Sequence, residues 1–374
     1  MQRNAFSRRR LMGAFGMLAM GTALSSPLTA ALAQTKGRLK VVCTLFPPCD
    51  FVREIGGERV DAVLLLKPGQ EAHTYEPTPQ DIKTIASADL FIYTGGENDT
   101  WVEGLLDSLG DKSPQAVRLL DLVPTVAEEI VEGMEDDGHD HAAGEHSHEH
   151  ENEPEAGAAQ EASAAGGAVD SSLEGDHHGE STAEQEKSSS ETTEDDDPAA
   201  DEHVWTSPKN AIGIVEELQM LLTEIDPEGA KVYKSRTENY LRQLQALDAA
   251  YRDMVSHARR KTILVADRFP FRYLAESYGL KYYAAFPGCS TQVRPSAATV
   301  AFLVDKVRDE HLPVVLQVAN SSPRIAKAVA EPSHAAILPL HAVHNLTPQE
   351  ARAGLTYLSA MKANLEVLRK ALND

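Results

Sequence analysis

Between Pro227 and Arg259 the chain reads PEGAKVYKSRTENYLRQLQALDAAYRDMVSHAR, and after Gly229 no proline or glycine interrupts it. Tyr233, Tyr240, Leu241, Leu244, Leu247 and Tyr251 recur at helical spacing within it. One helix over this stretch would be roughly 45 Å long, more than an ordinary globular helix, and it suits a strut between two lobes. The flanks support that reading. On the N-terminal side RLKVVCTLFP (38–47) predicts a strand ending at proline, followed by a helix from Asp50. VDAVLLLKPG (60–69) predicts a second strand closed by a Pro-Gly turn, TPQDIKTIASA (78–88) a helix with proline in its first turn, and ADLFIYTGG (88–96) a third strand. On the C-terminal side TILVAD, KYYAAF, PVVLQVA and AILPL read as strands. RYLAESYGL, SAATVAFLVDKVRDEH and PRIAKAVAEPS read as helices, and GLTYLSAMKANLEVLRKAL as a closing amphipathic helix. Strand–helix alternation on both sides predicts parallel sheets covered by helices. The expected fold is α/β: two Rossmann-like lobes (37–226 and 260–374) joined by one long rigid helix (227–259).

One segment breaks this pattern. From about Glu135 to Ala200 the apolar periodicity stops, and Glu, Asp, Ser, Gly, Ala and His dominate; such a stretch cannot bury enough surface to fold, so a disordered insertion (135–200) in the first lobe is expected. The chain's net charge of −22 belongs here: Glu135 to Glu202 holds 23 acidic residues and one basic residue, Lys187. The remainder is balanced, so nucleic-acid binding has no basic footprint. At the N-terminus, SRRRLMG, a moderately apolar run and Ala31-Leu32-Ala33 make an export signal (1–33), and the paired arginines fit the twin-arginine route. Cleavage near Ala33 would leave a soluble extracytoplasmic protein, since no later stretch reaches the ~20 apolar residues that span a bilayer. Cys43, Cys49 and Cys289 could supply one disulfide and a thiol, or three buried thiols.

Seven of the 14 histidines lie in the acidic segment, five of them in GHDHAAGEHSHEH (138–150). Of the rest, His257 and His311 sit among charges, and His334 reads as a loop residue. His73 lies between a strand and a helix, His203 where periodicity resumes, and His341 just past a strand, with His344 three residues on. Strand ends and adjoining loops are where α/β sheets place ligand sites. Imidazole is a donor for divalent transition metals, so these residues form the candidate set.

The combination of KPGQEAHTYEPTPQDI, TGGENDTWVEGLL, the acidic His-rich insert and DEHVWTSPKNA resembles the zinc- and manganese-type solute-binding proteins of ABC transporters. ADRFPFRYLAESYGLKYYAAFPGCS and GLTYLSAMKANLEVL extend the likeness from about Lys40 to the C-terminus. The resemblance implies two α/β lobes bridged by a rigid helix, metal in the cleft between them, and an ABC membrane permease as partner. It matches the first family ligand to His73 and the second, in the Asp-x-His-x-Trp pattern, to His203. The slot of the third, usually histidine, holds Arg268, which has no lone pair to give; Asp267 beside it could substitute, or water could complete the shell. The fourth slot, commonly aspartate, is assigned to His341, with His344 as competitor. A histidine-dominated site favours Zn²⁺; Mn²⁺, which prefers more carboxylates, is the second candidate.

The acidic His-rich tract has no fixed geometry and so reads as an accessory that concentrates divalent cations near a selective cleft. A monomeric, non-enzymatic zinc receptor is therefore expected. The alternatives are a manganese receptor, a zinc buffer or adhesin without a transporter, and a zinc hydrolase. The last would use His ligands with an open position, yet the chain has no His-Glu-x-x-His helix.

Overall fold

In the computed structural model, which describes residues 37–134, 199–290 and 294–374, strand and helix alternate through both halves. The export signal (1–33), and the acidic insertion apart from its last two residues, lie outside the described residues. The first half runs β1 (Leu39–Cys43), α1 (Phe46–Gly56), β2 (Val60–Leu64), α2 (Pro79–Ala86), β3 (Leu90–Tyr93), α3 (Trp101–Leu109) and β4 (Gln115–Arg118). Two helices follow, α4 (Pro208–Ile225) and α5 (Ala230–Ser256). The second half runs β5 (Thr262–Arg268), α6 (Arg272–Tyr278), β6 (Lys281–Phe286), α7 (Ala297–Asp309), β7 (Val314–Val318), α8 (Arg324–Ser333) and β8 (Ala336–Leu340), then α9 (Pro348–Ala353) and α10 (Tyr357–Asn373). All belong to the compact unit Arg38–Asp374.

Each half makes one four-stranded sheet, in the orders β2-β1-β3-β4 and β6-β5-β7-β8, and every pairing is parallel. Central parallel strands are buried on both faces, and successive side chains take opposite faces. Val42 and Phe91 therefore meet Ile85 of α2 and Val102 of α3 in an outer cluster. Leu264, Ala266 and Val315 meet Leu303 of α7 and Val329 of α8 in another. Val41, Cys43, Leu90 and Ile92 face the other way, as do Ile263, Val265, Val314 and Leu316. These inward residues of both sheets enter one continuous core with side chains of α1, α4, α5 and α10.

Helix α5 is tied to both halves. At its start the Asp226 carboxylate accepts from Arg59 Nε (2.9 Å) and Nη2 (2.7 Å) and from Tyr233 Oη (2.7 Å). Toward its end Tyr251 Oη donates to Met361 O (2.7 Å), and Tyr278 Oη donates to Asp248 Oδ1 (3.0 Å). The helix is shorter than the predicted 227–259: Pro227–Gly229 form a 3₁₀ turn, and the 27 residues of α5 span about 40 Å.

Three further differences have local causes. The first strand stops at Cys43, and α1 begins at Phe46 with Pro47 and Pro48 in its first turn, where a missing N–H breaks no intrahelical bond. Strand β4, QAVR, is a short edge strand with two exposed residues and carries no apolar run. Helix α4 precedes the long helix as a separate element: Ser207 caps it, Pro208 opens it, and Ala211, Ile214, Val215, Leu218 and Leu222 are buried at helical steps. The three cysteines are free thiols, and burial pushes the Cys43 thiol well above its ordinary value.

Candidate metal centre

The C-terminal ends of the strands carry the loops of interest, as open α/β sheets require. His73 sits on the loop between β2 and α2. That loop is pinned to the segment after β8: Gly69 N donates to Leu346 O (2.8 Å), and Asn345 Nδ2 donates to Lys67 O (2.7 Å). His203 precedes the 3₁₀ turn Val204–Thr206 and is fully buried. The Asp201 carboxylate accepts from its backbone N–H (2.8 Å) and lies 3.1 Å from its Nδ1. His344 follows β8, and its carbonyl accepts from Phe46 N (3.0 Å), the first residue of α1. Trp205 Nε1 donates to Ala342 O (2.8 Å), and Tyr357 Oη donates to Trp205 O (2.6 Å), which binds the loops of His203 and His344 together.

Val343 stands between His341 and His344 with φ of 62° and its side chain fully buried. A β-branched residue in the left-handed region costs about 1–2 kcal/mol. The reversed backbone separates its two neighbours. His341 Nδ1 accepts from Val343 N (2.8 Å), and its Nε2 lies 3.4 Å from Glu350 Oε1. His344 turns instead to the other two histidines.

His73, His203 and His344 form the one group of three potential metal donors among the described residues, with a ligand atom from each within 4.8 Å of the others. Their ring centroids are 5.7 Å (His73–His203), 5.2 Å (His73–His344) and 4.8 Å (His203–His344) apart. A tetrahedral zinc shell places nitrogen donors about 3.4 Å apart, a contraction within reach of side-chain rotation. Among the described residues, Nε2 of His203, of His341 and of His344 is buried without a hydrogen-bond partner. Leaving a buried polar atom unpaired costs about 1–3 kcal/mol; His341 faces Glu350, whereas His203 and His344 share one donor group with His73 and fit a shared cation.

Polar side chains stand behind two of the three rings. Asp201 accepts the Nδ1 proton of His203, which leaves the Nε2 lone pair for metal. Asn98 Nδ2 donates to Glu202 Oε2 and lies 2.9 Å from His73 Nδ1, fixing the plane of that ring. Glu202 needs a glycine opposite: Gly96 has φ of 87°, and a Cβ there would lie 2.3 Å from Glu202 Oε1. Burial first, then the charges of His203 and Arg268, push His73 down to about 3. Burial likewise holds His344 well below the ordinary imidazole range. Burial pulls His203 down too, but the Asp201 carboxylate outweighs it, with Glu202 and Glu128 adding to the effect, and its proton affinity is raised.

Two of the five predicted ligands fall outside the group. His341, assigned to the fourth slot, faces Glu350 instead, and its competitor His344 stands in the group. Asp267 is committed elsewhere: Oδ1 accepts from Arg268 N (2.9 Å) and Oδ2 from Ser321 Oγ. Arg268 lines the same cleft as His73 and His344. Sequence reasoning assigned no role to Asn98, Asp201, Glu202 or Glu128. The first three lie inside motifs quoted for their neighbours, and a polar residue two or more positions from a candidate ligand was the available signal.

Residues 41–371 match the model of the family described as zinc-uptake complex component A, periplasmic. The chain is 30% identical over 345 residues to the high-affinity zinc uptake system protein ZnuA of Bacillus subtilis, covering 92% of this chain and 91% of that one. It is 28% identical over 342 residues to the zinc-binding lipoprotein AdcA of Streptococcus pneumoniae, covering 91% of this chain but only 57% of the relative's length. The crystal structure of the Zn(II)-bound ZnuA-like domain of that AdcA superposes with a TM-score of 0.64 at 24% identity, over 90% of this chain and 100% of that domain, a likeness of fold. No helix among the described residues is long and apolar enough to cross a membrane.

Proposed function

The chain belongs to the periplasmic zinc-uptake component A family, and from that membership we propose that it is an exported receptor that captures Zn²⁺ between its lobes and delivers it to an ABC-type membrane permease. The observation that carries the reading is the convergence of His73, His203 and His344 within 4.8 Å, from positions up to 271 residues apart in sequence. An all-imidazole set suits Zn²⁺ better than Mn²⁺, which takes harder oxygen donors. The relatives named as zinc-binding or zinc-uptake proteins support the same ion. Export by way of residues 1–33, a monomeric state and a binding rather than catalytic role complete the proposal.

Metal analysis of the mature protein, with chelator competition, tests it. One tightly held Zn²⁺ is expected. Replacing His73, His203 or His344 by alanine removes that ion, whereas His341→Ala and Asp267→Ala retain it within a few-fold. A strain lacking the gene should fail to grow under zinc limitation and recover with the wild-type copy. A defect confined to zinc excess would instead identify a buffer.

A further inference from the structure

Three imidazoles leave a tetrahedral ion one donor short. Among the described residues no fourth histidine, cysteine, aspartate or glutamate joins the group. Asp201 serves His203, Glu202 serves Asn98, and Asp267 is held by Ser321 and its own strand. His73 and His344 border a cleft of about 160 Å³ that Arg268, Asn320 and Ser321 also line. A water molecule's share of liquid volume is about 30 Å³, so the cleft admits an anion of several heavy atoms.

Arg268 reaches the cleft through an irregularity in β5. Between Val265 and Arg268 the register against β6 slips, three steps on β5 facing two on β6, and such a bulge re-aims the side chains beyond it. The guanidinium is weakly engaged: Nη1 donates to Ser290 O at 3.4 Å, and Nη2 lies 3.6 Å from Glu71 Oε1, a carboxylate half exposed at the rim. Among the described residues these are its side-chain partners, which leaves N–H donors of the guanidinium for a planar partner. Its charge lowers the proton affinity of both His73 and His344. A divalent ion on three neutral rings beside a guanidinium concentrates positive charge at the cleft wall.

We propose that the site takes its metal together with a small O–C–O anion, a carboxylate or bicarbonate, one oxygen completing the metal's coordination and the other accepting from the Arg268 guanidinium. The proposal rests on the metal-receptor reading above. An anion bound only in the loaded state tightens metal binding by linkage, and the Arg268 fork makes that dependence specific.

The test measures Zn²⁺ affinity of the mature protein by chelator competition in carbonate-free sulfonate buffer, then with millimolar sodium bicarbonate or millimolar sodium acetate. In the wild type the anion should tighten binding by about tenfold or more, and the visible spectrum of the Co²⁺ form should change as the anion replaces water as the fourth donor. A gain with bicarbonate alone, or with both salts, identifies which anion the site accepts. Arg268→Met should still bind one ion while losing the anion gain, and Arg268→Lys should keep part of it. Anion-independent affinity in the wild type overturns the proposal, as does an equal gain in Arg268→Met. So does loss of tight binding in Glu71→Gln without any anion effect, which would make Glu71 the fourth donor. Absence of tight zinc in every buffer would bring down the receptor reading itself, an outcome distinct from tight, anion-independent binding.

Discussion

Burial lowers the proton affinity of His73 and His344, whereas Asp201, 3.1 Å from Nδ1, raises that of His203 against the same burial. Metal needs the neutral ring, so below the raised His203 value a bound proton must leave before the ion enters. His73, held near 3, is already neutral across that range. Zinc affinity should therefore fall about tenfold per pH unit as pH drops below the raised His203 value, a one-proton slope; a two- or three-proton slope there would refute this distribution of charge. Asn98 should matter without touching the ion, and Asn98→Ala should weaken zinc binding by about 10–100-fold. Asp50 gives a separate test: it accepts from Tyr357 N (2.8 Å), and burial pushes it up to about 6. A raised carboxylate binds its proton more tightly in the folded state, so the stability it contributes is present at low pH and lost as pH rises through that value. Asp50→Asn should raise Tm at neutral pH and leave it nearly unchanged near pH 4; equal shifts at both would contradict the assignment.

Among the elements, α5 depends on core contacts rather than on caps. Gly229 at its start makes no side-chain cap bond. Leu244 is fully buried at its centre, in the core both sheets share. Leu244→Ala should lower unfolding stability by about 2–5 kcal/mol and leave zinc stoichiometry unchanged, as denaturant melts with metal counting would show. Elements with a strong period were legible in the sequence, among them α5, α7 and α10, together with the apolar strands β1, β3, β5 and β7. Strand β4 was not, because an edge strand of four residues has little to bury. The start of α1 was misplaced because prolines that read as a strand terminator served as a first helical turn.

Across the whole molecule, one continuous core couples the lobes, so zinc bound between them should stabilise both. Saturating zinc should raise a single Tm in the wild type and leave His203→Ala unmoved; separate transitions for the lobes would deny the coupling. The insertion is bracketed by an antiparallel bridge, Ala127 with Ala200, and by Glu128 N donating to Ala199 O (2.9 Å). Replacing residues 135–198 by a short linker preserves that bracket. It should abolish any weak zinc binding by the histidine tract and keep the one tightly held ion, and loss of that ion would assign the tract a direct ligand.

Periodicity alone determined that this chain builds two parallel α/β sheets around a long helix, because burying an apolar face demands a spacing that is visible residue by residue. Motif likeness likewise marked His73 and His203. The choice between His341 and His344 belonged to the tertiary structure. They stand three residues apart in the same segment, and a left-handed backbone at Val343 sends one toward Glu350 and the other toward the histidine group. The bulge that brings Arg268 to the cleft is equally invisible in sequence, since it is a property of how β5 pairs with β6. Local spacing encodes which faces are buried, whereas the convergence of distant side chains exists only once the lobes have packed.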